Sequence, residues 1–432
     1  MSTDILALAL DIVDKAASIK TLIATEGLPA PDFSPDSTDL PDTPEHAALR
    51  SRLVAAIDDL RLLVVGPRRS MRALIGFSND LAALQVAFEF GFFTIVPETA
   101  EGITLEDVAQ KAGIDVGRTR QVLRLLCTHR IFKEVSEGRF VHTASSAAFR
   151  RDENLRCAGH FGMDEIFRSA ATTADTIKAA PEISDIEHSP FKTGLGLSMF
   201  EFYEKNPDKA ARFAKAMAGV AGVDRKPGML GDLYPWETLN GTVVDVGGGS
   251  GHIAIALAQR FPHLNFLVQD GMPDSLEQGK KLLTAEDPAV ANRIELLQHD
   301  FFLPQPAPER LTSRGPVAAF FLRHVFHNWN DADSIKIARA LVPALEAAAP
   351  GTPVLVSDRV LPSLGDGVPL FEERAMRQMD MLMMVGLGAK ERTHTEWQAL
   401  FSAADERLQV KKIHGQGASA LVEVVLARQE PM

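Results

Sequence analysis

Apolar residues open the chain three and four positions apart, at Ile5, Leu8, Ala9, Ile12, Val13, Ala16, Ile19 and Ile23, which places them on one face of a helix. The pattern stops at Pro29. From there to Pro44 prolines alternate with acids, predicting a linker or a surface-hugging loop. Helical spacing returns over 45–65 and over about 73–92, with more apolar surface than so short a segment can bury by itself. Between Thr104 and Val141 the pattern predicts a helix capped by Thr104, a break at Gly113, a second helix over 116–128, and two short strands around Glu137-Gly138. That order is a winged helix-turn-helix. Residues 148–233 have a largely helical pattern, with one helix starting at Asn206-Pro207.

Beyond Pro235 short apolar runs alternate with helical stretches. Strands are predicted at 243–246, 266–269, 294–297, 318–322 and 354–357, and helices up to Arg260, from about Ser275, and over 333–349, 372–385 and 396–404. This predicts a doubly wound α/β domain. Two last runs, 408–414 and 420–427, are separated by Gly415 and Gly417 and predict an antiparallel hairpin, which an ordinary dinucleotide fold does not end with. The expected organisation is an N-terminal helix and linker (1–44), a helical and winged-helix domain (45–150), a helical connector (151–234) and the α/β domain (235–432).

Composition narrows the partners. A net charge of −12 and a pI near 5.5 argue against broad binding to nucleic acid or anionic membranes. Arg118, Arg120 and Arg124 on the second winged helix are the residues that DNA binding would use. In so acidic a chain without a basic arm, a structural or dimerisation module is the expectation. Cys127 and Cys157 predict two free thiols in a reducing compartment. Met1–Ile23 carries Asp4, Asp11 and Asp14 and does not resemble a signal peptide, and no apolar run reaches the roughly 18 residues of a spanning helix. A cytosolic protein acting on a small molecule is expected.

The chemistry begins at Thr242-Val-Val-Asp-Val-Gly-Gly-Gly-Ser-Gly-His252, where an apolar strand ends in Asp245 and enters a glycine turn before a helix. Amides without Cβ atoms and a helix N-terminus prepare a nucleotide-shaped site. Gly249-Ser-Gly-His-Ile-Ala254 also fits the dinucleotide pattern, so a nicotinamide or flavin cofactor stays open on this motif alone. Asp270 ends the next strand, where a carboxylate accepts ribose hydroxyls; Asp300 ends the third, within reach of an adenine amino group.

With Phe320-Phe-Leu-Arg-His-Val-Phe-His-Asn-Trp-Asn-Asp331, Ser357-Asp-Arg-Val-Leu-Pro362 and Gly388-Ala-Lys-Glu-Arg-Thr393 added, the chain from about Ser70 onward resembles the small-molecule O-methyltransferases of plants and fungi. The resemblance implies a Rossmann-like S-adenosylmethionine methyltransferase domain preceded by a mostly α-helical winged-helix dimerisation domain. It also implies a homodimer and S-adenosyl-L-methionine as cofactor, held by Asp245, Gly247, Gly249, Gly251, Asp270, Asp300, Phe301, Arg323 and Trp329. His327 is then the general base, and Asp358 and Glu391 hold its ring. Asn328, where an aspartate is usual, and residues 1–44 depart from the family pattern.

An imidazole with a pKa near 6.5 is matched to take the proton of a phenol as a methyl group arrives, and carboxylates favour the imidazolium that forms. No metal is required; His324 and His327 with Asp331 and Asp358 lack metal-type spacing. His160, Phe202, Met217, Met379 and Met383 are candidates for the substrate pocket, the methionines as a deformable lining for a flat acceptor. Two rival readings follow: a relative that binds S-adenosylmethionine but catalyses dehydration or pericyclic cyclisation, and a regulatory winged-helix protein with a degenerate enzyme domain.

Overall fold

The computed structural model describes residues 4–41, 43–224, 230–312, 314–416 and 419–428, and the chain divides into two compact units. The first comprises residues 1–172, 194–224 and 369–372. Its helices Ile5–Thr25 and Pro44–Val65 are capped by Asp4 and Thr43 side chains, and the described residues of the proline-rich segment between them form no regular element. That segment hugs the unit as expected: Arg151 donates to the Pro35 carbonyl (2.9 Å) and pairs with Asp36 (2.9 Å), and the Arg130 guanidinium lies 4.6 Å from the Phe33 ring centroid.

One helix expected over 73–92 is two in the structure. Pro67, whose fixed φ suits a first helical turn, starts the longer one at Pro67–Glu89. Gly91, at φ +68°, ends it before Phe92–Ile95. The winged module has three short strands, β1 (Ile103–Thr104), β2 (Phe132–Ser136) and β3 (Arg139–His142), in the antiparallel order β1-β3-β2. Its helices Leu105–Ala112 and Val116–Thr128 are capped by Thr104 and Asp115, and Gly113 makes the left-handed stop between them. Phe88, Phe92, Phe93, Leu123, Leu126, Phe132 and Phe140 fill the core beneath.

The second unit comprises 173–193, 225–368 and 373–432. Its sheet contains β4 (Gly241–Val246), β5 (Leu264–Asp270), β6 (Ile294–Gln298), β7 (Val317–Arg323) and β8 (Pro353–Ser357), all parallel. Two short strands, β9 (Val360–Leu361) and β10 (Arg392–Thr393), pair beside it. The closing hairpin is β11 (Leu408–Gln416) and β12 (Ser419–Leu426), and the full order is β11-β12-β8-β7-β4-β5-β6. The expected antiparallel ending is present, with Val422 opposite Val356 across β12 and β8; Gly417 lies outside the described residues.

Alternation along the strands supplies two cores. Val243, Phe266, Val268 and Phe321 pack on Ile253 and Leu257 on one face, and Val244, Leu267, Phe320 and Leu322 pack with Ile337, Leu341 and Trp397 on the other. Strand order reverses at β4, which has β5 on one side and β7 on the other. At such a switch point the two crossovers leave in opposite directions and open a crevice at the carboxyl ends of the strands. This is the Rossmann-like arrangement that the sequence pattern predicts.

Candidate active site

Three of the four glycines in the turn after β4 have positive φ: Gly247 +73°, Gly249 +58° and Gly251 +76°. They let the chain reverse within five residues and enter the helix His252–Arg260. A Cβ on Gly247 would meet Val325 at 2.8 Å, and one on Gly248 would meet the Asp245 carboxylate at 2.5 Å; one on Gly249 would meet nothing within 4 Å. The turn is therefore packed from below and open at Gly249, a cradle that a ligand can fill.

Carboxylates surround this cradle. Asp270 accepts the Gly249 N–H at Oδ2 and the Met272 N–H at Oδ1, both at 2.9 Å, and so fixes the turn while keeping lone pairs for a diol. Asp245 is buried, and its Oδ2 has no partner. Burial pushes its carboxyl up to about 7; the Arg323 guanidinium opposes this and Asp270 adds to it. Burial pulls the pKa of Arg323, at the end of β7, below its ordinary value, while the charges of Asp358 and Asp245 oppose this. Asp300 is exposed after β6 and accepts the Phe302 N–H at 2.9 Å. Next to it, the Phe301 and Phe302 rings meet Trp329 edge-on at 6.0 and 4.8 Å. Phe301 lies 3.6 Å from the Cβ position of Gly247, so these aromatics border the glycine turn.

His327 sits in the single turn Phe326–Asn328 that follows β7, almost fully buried. Its Nδ1 is 3.2 Å from Glu391 Oε1. The carboxylate requires a proton on Nδ1, which leaves Nε2 with its lone pair. Burial pulls the imidazole pKa down, but the Glu391 hydrogen bond and the charges of Asp358 and Glu391 overcome this and hold it above its ordinary value. Arg359 lies 3.7 Å from the same Glu391 oxygen.

Asp358 does not meet the ring by a hydrogen bond. Its Oδ2 accepts the backbone N–H of His327 at 3.2 Å, so its contribution is to the turn and to the charge around the imidazole. Oδ1 of Asp358 and Oε2 of Glu391 are buried without partners. The His324 and His327 rings stack with centroids 5.0 Å apart. Near-parallel rings direct their nitrogen lone pairs in parallel planes rather than toward one ion, which disfavours a metal bridging this pair.

Sequence reasoning missed Arg392. It is fully buried and donates to the Phe326 carbonyl (3.0 Å), the Trp329 carbonyl (2.9 Å), Ser334 Oγ (3.0 Å) and Asp331 (2.9 Å). These bonds clamp both ends of the turn that carries His327. The signal was its position beside Glu391 in the Lys-Glu-Arg-Thr run.

Among the pocket candidates, His160, Phe202 and Met217 belong to the first unit, Met379 and Met383 to the second. His160 pairs with Glu89 at 3.0 Å, Phe202 stands edge-on to Tyr203, and Met217 is exposed. Met379 is half-buried and Met383 buried. Glu89, His160 and Asp164 have ligand atoms within 4.8 Å of one another, but Asp164 already pairs with Arg168, Lys209 and Arg212, whose charges oppose a cation.

Comparison with known proteins decides the family. The O-methyltransferase domain matches residues 176–405, and the O-methyltransferase dimerisation domain matches 73–152. The O-methyltransferase sol2 of Alternaria solani is 51% identical over 97% of this chain and 94% of its own. The chain belongs to the O-methyltransferase family. Two solved structures share the fold of this O-methyltransferase. OxaC in complex with sinefungin and meleagrin has a TM-score of 0.75 at 22% identity, covering 98% of both chains. A protein described as a pericyclic reaction enzyme has a TM-score of 0.69 at 20% identity, covering 96% of this chain and all of that one. Among the described residues no helix is long and apolar enough to cross a membrane.

Proposed function

We propose that this O-methyltransferase uses S-adenosylmethionine to methylate a phenol or enol hydroxyl of a secondary metabolite, with His327 as general base. The buried His327–Glu391 pair, 3.2 Å apart, carries the reading. The residues fit the cofactor: an open position over Gly249 and a buried Asp245 oxygen without a partner are what a bound nucleotide with a charged tail requires. Asp270 would hold the ribose, Asp300 with Phe301 and Trp329 the adenine, and Asp245 with the glycine turn the remainder. When bound, S-adenosylmethionine supplies a methyl group on a cationic sulfur, an electrophile with a neutral leaving group.

The chain's part is proton removal and alignment. Nε2 of His327 takes the hydroxyl proton as the oxygen–methyl bond forms, and Glu391 stabilises the resulting imidazolium across Nδ1. Asp358 and Arg392 hold the turn, so that the ring does not reorient during transfer. Met379 and Met383, in the same unit as His327, line the acceptor side in this reading. The protein works as a cytoplasmic homodimer.

Incubation with methyl-deuterated S-adenosylmethionine followed by mass spectrometry tests the reaction. Labelled product from the wild type, with a rate roughly 10²–10⁴ lower in His327→Ala, supports it. Unlabelled isomerised or dehydrated product, or full turnover in the variant, replaces it with cofactor-assisted cyclisation. Calorimetry showing tight NAD binding and no binding of S-adenosylhomocysteine would refute the cofactor assignment.

A further inference from the structure

We propose that His324 is a positioning residue for the transfer: its imidazole, stacked on His327, fixes the plane of the base and stabilises, through its ring face, the charge that the base acquires. The proposal rests on His327 being that base. The backbone is the first support. His324 has φ +53°, and among the described residues only Arg130 joins it as a non-glycine residue with positive φ. Left-handed backbone is disfavoured for any residue with a Cβ and survives where the surroundings enforce it, commonly at functional sites.

Two hydrogen bonds enforce it here. The His324 N–H donates to the Ser357 carbonyl at 3.3 Å, and Asn328 Nδ2 donates to the His324 carbonyl at 2.9 Å. The second bond accounts for Asn328. An ionised aspartate has no N–H to donate and would place a charge against that carbonyl, whereas asparagine closes the turn.

The result of the strained turn is the ring stack, with centroids 5.0 Å apart and planes 25° from parallel. An aromatic face attracts a neighbouring cation through its quadrupole, so the His324 ring face favours the imidazolium form of His327. The charges around the pair place the proton. Glu391 and Asp358 draw it to His327, Arg359 opposes charge there, and Arg323 is next to His324 in the chain. A second proton on the stack would set two cations face to face.

The test follows the His327 imidazole by NMR through a pH titration of the histidine-labelled protein, with the signal assigned by its loss in His327→Ala. His324→Asn tolerates left-handed backbone but has no ring; His324→Phe keeps a ring that does not titrate. His324→Asn is expected to lower the His327 midpoint by about half a unit and the rate of methyl transfer about three- to tenfold. His324→Phe restores the midpoint, and Asn328→Ala shifts it as His324→Asn does. An unchanged midpoint in His324→Asn overturns the proposal, as does an equal loss in His324→Asn and His324→Phe. Full turnover in His327→Ala removes the general base instead, and with it the transfer role of His324, while the midpoints still report whether the rings are coupled.

Discussion

Glu391→Gln gives a direct measure of what the carboxylate does for the base. The substitution keeps the side-chain length and an oxygen able to accept the Nδ1 proton, but removes the charge 3.2 Å away. Hydrogen bonds to charged groups contribute about 1.5–3 kcal/mol and neutral ones about 0.5–1.5, so the loss is on the order of 1–1.5 kcal/mol. One pKa unit is about 1.4 kcal/mol, so the His327 midpoint falls by about one unit. Arg359, 3.7 Å from the same Glu391 oxygen and no longer offset by its charge, pushes in the same direction. The sign follows from the role. A general base works when neutral, and in the wild type the imidazole pKa is held above its ordinary 6.5, so the acid limb of kcat/KM lies above that value. In the variant the limb moves down by about one unit, while the alkaline plateau drops up to about tenfold because the base is weaker. The wild-type advantage therefore shrinks as pH falls. Initial rates with labelled methyl donor across about pH 5–9 read both effects; parallel profiles with a common limb would falsify the coupling.

Gly249→Ala places a Cβ where nothing lies within 4 Å, so it adds only left-handed strain of about 1–2 kcal/mol. By filling the cradle it should weaken S-adenosylhomocysteine binding at least about tenfold in calorimetry; unaltered binding would show that the opening is not the cofactor site. Although Asp164 is buried, Arg212, Lys209 and Arg168 hold its carboxyl well below the ordinary carboxylate range. Its stabilisation is thus present above the unfolded carboxylate value and lost as pH falls through the folded one. Asp164→Asn should cost about 1.5–3 kcal/mol in urea unfolding near pH 7, with a gap that closes only in strong acid; a gap independent of pH would refute the assignment. Leu74 and Ile75 lie within the dimerisation domain match and are 60% and 72% exposed in the single chain. Ile75→Glu should move the light-scattering mass toward that of a monomer, whereas a wild type already monomeric at micromolar concentration would refute the homodimer.

Much of this molecule was legible in the sequence because the controlling interactions are local. Period-2 and period-3.6 patterns located the strands and long helices, Thr104 and Asp115 marked helix starts, and Gly247, Gly249 and Gly251 after Asp245 are where a reversing chain needs positive φ. The Pro67 start and the Gly91 break were equally local signals, outweighed by the continuous apolar pattern over 73–92. Only the folded chain decided what the acids and cations touch. Asp358 and Glu391 are both near His327, yet one meets its backbone and the other its ring, because β8 and the approach to β10 deliver their carboxylates to different sides of the turn. Arg392 reaches carbonyls more than 60 positions away, and the His324 stack depends on a backbone conformation that no hydrophobic pattern encodes. Periodicity reports which face of an element is buried; the direction of a polar side chain in the site is set by neighbours distant in sequence and brought close by the sheet.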